Sequence, residues 1–184
     1  CAGLDGTIWV TTDADDGSGS LRAAIECANS SSGSNTIRFN IPGTGRKVIY
    51  VGSTTGQPLP TLTDIRTVID ATTQPGFGDN GNFAPQIILD GSQHEWNRPD
   101  NAIWIQGTEC EIYGLEIRNF PDDGIDVAFA RDVIIGAPNK GNVIYNCGSE
   151  QDIFSGVNPP GPWEGCGIVV RLGARNCTIQ GNII

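Results

Sequence analysis

The chain has 184 residues, carries 11 Lys and Arg against 21 Asp and Glu for a net charge of −10, and contains 25 Gly and 11 Pro. This acidity argues against a nucleic-acid-binding protein, because phosphate binding needs a basic face, and it disfavours docking onto anionic membranes. No run of about 18 apolar residues is present, so no transmembrane segment is predicted. The many glycines and prolines, with 38% hydrophobic residues, are typical of an all-β chain with many turns.

The N-terminal part predicts one strand, one helix and then further strands. Thr7–Thr11 alternates and is β-rich, which predicts a first strand. The acidic stretch 13–19 is interpreted as a turn rather than a calcium loop, because its glycine falls one place early and no glutamate follows at the required distance. Ser20 is a capping residue for a helix predicted over Leu21–Asn29. Further strands are predicted over Thr36–Ile41, Lys47–Val51 and Thr67–Asp70.

A repeat begins near residue 86. Its first two segments, aligned on Ile103 and Ile125, are 22 residues apart, and the third begins 43 residues later at Ile168 because of a short insert at 137–140 and a loop insertion at 148–165. Three short strands per period, separated by Gly or Asn turns, predict a parallel β-helix. The chain is therefore predicted to be one domain, 1–184, with a cap and first coils over 1–85 and repeat coils over 86–184.

Stacked coils place equivalent residues one above another, about 4.8 Å apart. The inward columns are predicted to be Ile103, Ile125 and Ile168; Ile105, Val127 and Val170; and Ile112, Ile134 and Ile179. Trp104, Asp126 and Val169 are predicted to form an outward column. Asn142 shares a turn position with Asn182, as Asn119 does with Asn146, and stacked amides there are expected to bond coil to coil and to tolerate a left-handed backbone.

Several segments carry a resemblance to a known group. They are Gly19–Ile25, Thr36–Pro42, Leu59–Asp64, Val68–Gly76, Ile88–Ser92 and Ile112–Phe120. In this order they resemble bacterial secreted or surface right-handed parallel β-helix proteins. The resemblance covers nearly the whole chain. It implies an all-β fold, a right-handed parallel β-helix with a short N-terminal capping helix, and an extracellular or cell-surface location. It implies no particular activity.

Six cysteines, an even number with no CxxC pair, predict disulfide bonds and an oxidising compartment. Two bridges are predicted, Cys147–Cys166 across the loop insertion and Cys1–Cys27 in the cap. Cys110 and Cys177 then remain as buried thiols or as bridges between subunits. Alternatively, Cys1 carries a covalently attached lipid, as the first residue of a bacterial lipoprotein does.

The C-terminal end suggests assembly. The ends of a β-helix carry unpaired backbone groups and normally need a polar cover, yet the sequence finishes on Ile183 and Ile184. Contact between unlike ends does not close, so it builds a filament. We therefore expect an extracellular structural or surface protein that assembles head-to-tail into a filament or other polymer. The assembly candidates are Ile8, Trp9, Val10, Cys177, Asn182, Ile183 and Ile184. Three alternatives stay open: a fragment of a longer protein, a last coil that is covered by a loop such as 148–165, and a monomeric surface adhesin.

Two further alternatives involve glycans. A glycan-binding module would use Trp104, Trp163 and Phe154, because aromatic side chains bind sugar rings. A polysaccharide lyase or hydrolase would use carboxylates in 122–126 with Arg118 or Arg171 as the basic group. Since Asp122 and Asp123 lie between a proline and a glycine, a turn is favoured there. We expect no catalytic residue, no cofactor and no metal.

Overall fold

The structure is a computed structural model that describes residues 3, 6–78, 84–93, 100–148 and 165–184. These residues form one α-helix, thirteen short strands and a one-turn 3-10 helix at Ala71–Thr73. The helix is α1 (Leu21–Ser30), and the strands are β1 (Thr7–Val10), β2 (Asn35–Phe39), β3 (Lys47–Tyr50), β4 (Thr67–Asp70), β5 (Ile87–Asp90), β6 (Ile103–Ile105), β7 (Glu111–Tyr113), β8 (Leu115–Arg118), β9 (Ile125–Ala128), β10 (Ile134–Ile135), β11 (Val143–Tyr145), β12 (Ile168–Arg171) and β13 (Thr178–Ile179). The prediction of an all-β fold with one N-terminal helix is confirmed at this level.

The strands form three sheets in which neighbouring strands run parallel. Sheet A has the order β1-β2-β4-β7-β10-β13, sheet B has the order β11-β8-β5-β3, and sheet C has the order β12-β9-β6. From β6 onward the chain visits sheets C, A and B in that order, and it repeats the circuit with β9 to β11. A third circuit runs through β12 and β13 to Ile183, which bridges to Val143 of sheet B.

Helix α1 forms because its sequence combines a cap with one apolar face. The Ser20 side chain accepts a hydrogen bond from the Ala23 N–H at 3.2 Å, and Leu21, Ala24 and Ile25 are buried on the inner side. The helix ends one residue later than predicted. It packs against β1 and β2, at one end of sheet A.

The predicted inward columns are confirmed in sheet C, where Ile103 and Ile168 both pair with Ile125. In sheet A the prediction is wrong by one residue, since Ile112 pairs with Ile135 rather than with Ile134. Val133 and Ile135 are both fully buried, so Ile134 between them turns outward. The prediction aligned Gly114 with Gly136, and this alignment places the two strands one residue out of register.

The corners between the sheets repeat one backbone conformation from coil to coil. Four residues that precede sheet A strands have left-handed backbones, and hydrogen bonds place each above the last: Arg66, Glu109, Asp132 and Asn176, with φ from 56° to 58°. Asn119 and Asn146 do the same after sheet B, and the Asn146 side chain donates to Asn119 Oδ1 at 2.5 Å. This confirms the predicted amide contact and left-handed turn there.

The other predicted amide contact is also present, although the predicted left-handed backbone at Asn142 and Asn182 is not. Asn142 Nδ2 donates to Asn182 Oδ1 at 2.9 Å and to the Ile112 carbonyl at 3.1 Å, while Asn142 Oδ1 accepts from Leu115 N–H at 3.0 Å. Asn142 is fully buried. One side chain therefore joins three successive coils through hydrogen bonds.

One of the two predicted disulfides is absent. Cys147 and Cys166 are not bonded to each other: Cys147 packs against the core, and Cys166 is exposed. The two stems of the insertion meet instead through Gly148 and Gly165, whose backbones are so close that a Cβ on either would clash with the other. Cys27 is disulfide-bonded, and its predicted partner Cys1 lies outside the described residues. Cys110 is a buried thiol, as one of the predicted alternatives had it.

Candidate functional site

The last circuit of the chain exposes apolar side chains that belong to the interior columns. Val170 continues the column of Ile105 and Val127, which are both fully buried, yet it is 39% exposed. Ile179 continues the column of Ile112 and Ile135 and is 45% exposed. Among the residues that the structure describes, no element covers the interior at this end of sheets A and C.

Sheet B ends in the same way. Ile144 lies above Ile117, and both are buried. The bridge of Ile183 to Val143 places Ile184 above Ile144, and Ile184 is 70% exposed. We call the surface formed by Val170, Ile179, Ile183 and Ile184 the open end. β12 and β13 are the outermost strands of sheets C and A there, so their outer edges have no neighbouring strand among the described residues.

The opposite end is closed by α1 and the loop before it. Asp15 in this loop is buried, and its carboxylate accepts from the N–H groups of Gly52, Thr54 and Thr55 at 2.9 to 3.1 Å. The Arg22 side chain of α1 forms an ion pair with Asp15 at 3.0 Å. These contacts tie the helix to the loop that follows β3.

Ionisation of Asp15 is favoured despite its burial. Desolvation opposes the charge, but the hydrogen bonds from Thr55 and Gly52 and from Arg22 outweigh it, and together they lower the pKa of Asp15 from its ordinary value of 3.8. From the sequence, Asp15 is predicted to lie in a turn, with no role of its own. The spacing of Asp15 and Arg22 could have suggested an ion pair between the turn and the helix. Acidic turns are common, however, so the sequence did not single out Asp15.

The predicted assembly residues fall into two groups. Ile8 and Val10 are buried in the core, so among the N-terminal candidates only the Trp9 side chain is exposed. At the other end, Cys177 is half-buried at the end of a column that starts with Cys110 and continues with Val133, in line with the predicted two-coil separation of the two cysteines. Asn182 bonds to Asn142, and Ile183 and Ile184 are exposed at the open end.

The carboxylates considered for catalysis are held in a closed network. Asp126 has no exposed surface and receives two bonds from Arg171 Nε, one from Arg171 Nη2 at 2.6 Å, and one from Asn101 Nδ2 at 3.1 Å. Asp123 accepts from the Cys166 N–H at 2.7 Å. Burial, together with the negative charge of Asp126, raises the pKa of Asp123 from its ordinary value of 3.8. These polar contacts join three successive coils, those of β6, β9 and β12.

A second network covers the outside of sheet B. Arg118 pairs with Asp90 at 2.7 Å and with Glu116 at 3.1 Å, and Tyr145 donates to the same Glu116 oxygen at 3.0 Å. Arg46 also contacts Glu116. Arg118 is a candidate proton acceptor from the sequence, but the hydrogen bonds to Tyr145 and Asp90 raise its pKa, so it stays charged.

The glycan candidates are only partly placed. Trp104 is exposed on the outside of sheet C, where it pairs with Asp126 as predicted. Phe154 and Trp163 lie outside the described residues. Within the described part of the chain, no three metal-ligating side chains come together. No helix there has both the length and the apolar character needed to cross a membrane.

Comparison with known proteins adds no relative: no protein-family model matches the chain, and no curated protein matches it.

Proposed function

We propose that the chain is a right-handed parallel β-helix of the bacterial secreted and surface type. The ordered circuit through sheets C, A and B, three times over, supports this proposal, since stacking of such circuits is how a β-helix grows. The stacked left-handed corners support it as well. The resemblance to this group implies that the protein is extracellular or attached to the cell surface.

We further propose that its function is structural, and that copies assemble head-to-tail through the open end. The observation that carries this proposal is the exposure of Val170, Ile179 and Ile184, each of which ends a column of fully or nearly fully buried residues. Removing apolar surface from water is favourable by about 25 cal/mol per Å², and part of this gain offsets the entropy lost on association.

Sheet A favours contact between unlike ends. Its outermost strands are β13 at the open end and β1 at the capped end, and neighbouring strands throughout the sheet run parallel. Placing β1 of one copy beside β13 of another by translation keeps this parallel direction. One carbonyl on the outer edge of β1 already accepts a bond from Gly3, at Thr7, so the added pairing is short.

The test is the mass of the purified 184-residue chain by light scattering after size-exclusion chromatography, with negative-stain electron microscopy. We expect a polymer whose length grows with concentration. Ile179→Lys at the open end is expected to leave monomers. Trp104→Lys is the matched control, because Trp104 is 38% exposed on the outer face of sheet C rather than at either end of the stack. A wild-type chain that stays monomeric, or two variants that behave alike, would refute the assembly.

A glycan-binding role is the second candidate. The observation that favours it is the exposed Trp104 ring on the wall of sheet C. Binding on a glycan array that is lost in Trp104→Ala, and retained in Ile65→Lys at another exposed apolar position, would support this role instead. An array without binding would remove it.

A further inference from the structure

The outer face of sheet A carries a line of four side chains in the order aromatic, cation, anion, aromatic. The line crosses β1, β2, β4 and β7, and the strand pairing places one member on each strand: Trp9, Arg38, Asp70 and Tyr113. Each of them alternates with buried residues of its strand, so all four point outward. Neighbouring strands are about 4.8 Å apart, so the line is about 14 Å long. We call these four residues the wall line, and none of them belongs to the last coil.

The two charges of the wall line have no ion-pair partner among the described residues. Arg38 is exposed, and no described residue bonds to its guanidinium group. Asp70 is half-buried, and its Oδ1 accepts from the Thr72 N–H at 3.1 Å and from the Thr72 hydroxyl, whereas no described residue bonds to its Oδ2. Arg38 and Asp70 lie side by side on neighbouring strands but form no ion pair with each other. Both charges are therefore available to a partner.

The two aromatic ends of the wall line differ in their surroundings. Trp9 is 47% exposed. Tyr113 is half-buried, and the ammonium group of Lys140 lies 5.5 Å from the centre of its ring. Lys140 is exposed, and no ion pair between described residues involves it. Because a cation is attracted to aromatic faces, and to Trp more strongly than to Tyr, the Tyr113 end suits an indole ring that would contact the Lys140 ammonium from its other side.

The order of the wall line makes it complementary to a second copy of itself. A two-fold axis parallel to the strands, midway between β2 and β4, turns two walls to face each other and reverses the line in the second copy. Arg38 then faces the partner's Asp70, and Trp9 faces the partner's Tyr113. Each contact occurs twice, as in every isologous interface. We propose that two copies of the chain pair laterally through the wall line, with their coils stacked in opposite directions.

The charges select this orientation over the other two-fold arrangement of the same walls. An axis parallel to the stack of coils would place each residue opposite its own counterpart, so that Arg38 would face the partner's Arg38 and Asp70 would face the partner's Asp70. Repulsion of this kind disfavours the wrong arrangement and is a source of specificity. In the favoured orientation the flanking residue Thr36 faces the partner's Val68, so this pair adds no like charges.

The contact is small and leaves the open end free. It covers four short strands on each copy, and small interfaces are typical of weak complexes. We expect half-dimerisation at about 100 μM, well above the concentrations reached in size-exclusion chromatography. Because the two copies run in opposite directions, their open ends lie at opposite ends of the pair. The lateral contact therefore goes beyond the proposed head-to-tail assembly and does not depend on it.

The experiment uses the full chain with Ile179→Lys as the parent, so that head-to-tail contact does not contribute. Sedimentation equilibrium is measured at concentrations on both sides of the expected midpoint, and we expect a monomer–dimer equilibrium. Arg38→Asp replaces both attractive pairs by repulsion, so we expect it to raise the concentration for half-dimerisation by at least about tenfold. Arg131→Asp is the matched control, because Arg131 is also exposed and also has no ion-pair partner among the described residues, but lies on the corner between sheets C and A. We expect this control to dimerise like the parent.

Mixing two opposite charge reversals is the sharper measurement. In the parent chain, Arg38→Asp places carboxylates opposite each other across the two-fold axis, and Asp70→Lys places cations opposite each other, so neither variant is expected to dimerise alone. In an equimolar mixture, position 38 of each variant faces an opposite charge at position 70 of the other. We therefore expect heterodimers of about the parent's strength. Trp9→Ser, which changes no charge and none of the bonds to Thr72, is a further variant and is expected to weaken dimerisation several-fold.

Circular dichroism establishes that each variant is folded, and the outcomes separate this proposal from head-to-tail assembly. A parent chain that stays monomeric at every concentration would overturn the lateral contact and leave head-to-tail assembly standing. Dimers that persist unchanged in Arg38→Asp, or that weaken equally in Arg131→Asp, would also overturn it. Dimers that are lost in Arg38→Asp and regained in the mixture would support lateral pairing, whatever the wild type does end to end.

Discussion

Replacing Asp15 by asparagine is expected to weaken the cap more than any other change of a single charge there. The carboxylate receives five bonds: Oδ1 accepts from Arg22 and the Gly52 N–H, and Oδ2 accepts from the N–H groups of Thr54 and Thr55 and from the Thr55 hydroxyl. Asparagine has nearly the same shape, but its amide nitrogen cannot accept a bond. The variant therefore removes acceptors without opening a cavity.

The magnitude follows from the least damaging orientation of the asparagine side chain. With its nitrogen at the Oδ1 position, the side chain leaves the Arg22 guanidinium and the Gly52 N–H without this acceptor, whereas the other orientation affects three donors. A buried donor left unsatisfied costs about 1–3 kcal/mol, and removing one partner of a buried ion pair costs about 3–5 kcal/mol. Since Arg22 keeps bonds to the Pro58 and Gln57 carbonyls, we expect Asp15→Asn to lower the free energy of unfolding by about 3–4 kcal/mol.

The assay is urea unfolding at pH 7, followed by tryptophan fluorescence and circular dichroism. Asp16→Asn is the matched control, because Asp16 is the exposed neighbour, and its effect is expected to be below about 0.5 kcal/mol. The folded-state pKa of Asp15 is lowered, so its contribution is fully present above the ordinary value of 3.8 and is lost as the pH falls through the folded-state pKa. The difference between wild type and variant should shrink in that acidic range. A difference below about 1 kcal/mol at pH 7 would refute the reasoning.

Two further predictions concern the coils. Asn142→Ala leaves the buried Leu115 N–H without its acceptor, so we expect it to lower the free energy of unfolding in urea by about 2–3 kcal/mol. The control is Asn146→Ala at an exposed position, for which we expect less than about 1 kcal/mol. Equal effects of the two substitutions would contradict the role of Asn142. Burial raises the pKa of the Cys110 thiol to about 11, so we expect iodoacetamide at pH 8 to leave Cys110 unmodified in the native protein and to alkylate the half-buried Cys177. Mass spectrometry of the peptides measures the labelling, and the experiment is repeated in urea. Equal labelling of the two cysteines in the native protein would contradict the prediction.

The regular part of the architecture was predictable because it depends on local alternation. Ile103, Ile125 and Ile168 could be aligned from the sequence, since each begins a strand in which apolar residues alternate. The same signal failed at Ile134, because Val133, Ile134 and Ile135 are all apolar and the alternation gives no phase. Only the pairing of Ile135 with Ile112 resolves which of them faces inward.

The polar contacts between distant residues were not predictable. Arg118 and Asp90 are 28 positions apart, and Arg171 and Asp126 are 45 positions apart, so no local pattern joins them. Cys147 and Cys166 looked suited to a bridge because they flank an insertion, but sequence separation says nothing about which way each side chain turns. The uncovered ends of the columns were likewise visible only after the register was known.

The stacked left-handed corners have a consequence for how such a protein changes in length. Arg66, Glu109, Asp132 and Asn176 differ in chemistry but share one backbone conformation, so each circuit enters sheet A at the same angle. Ile103 and its partner Ile125 are one circuit of 22 residues apart. If a unit of this length were duplicated or deleted, the chain would return to the same point with the same direction. The length of such a protein can therefore change by whole circuits.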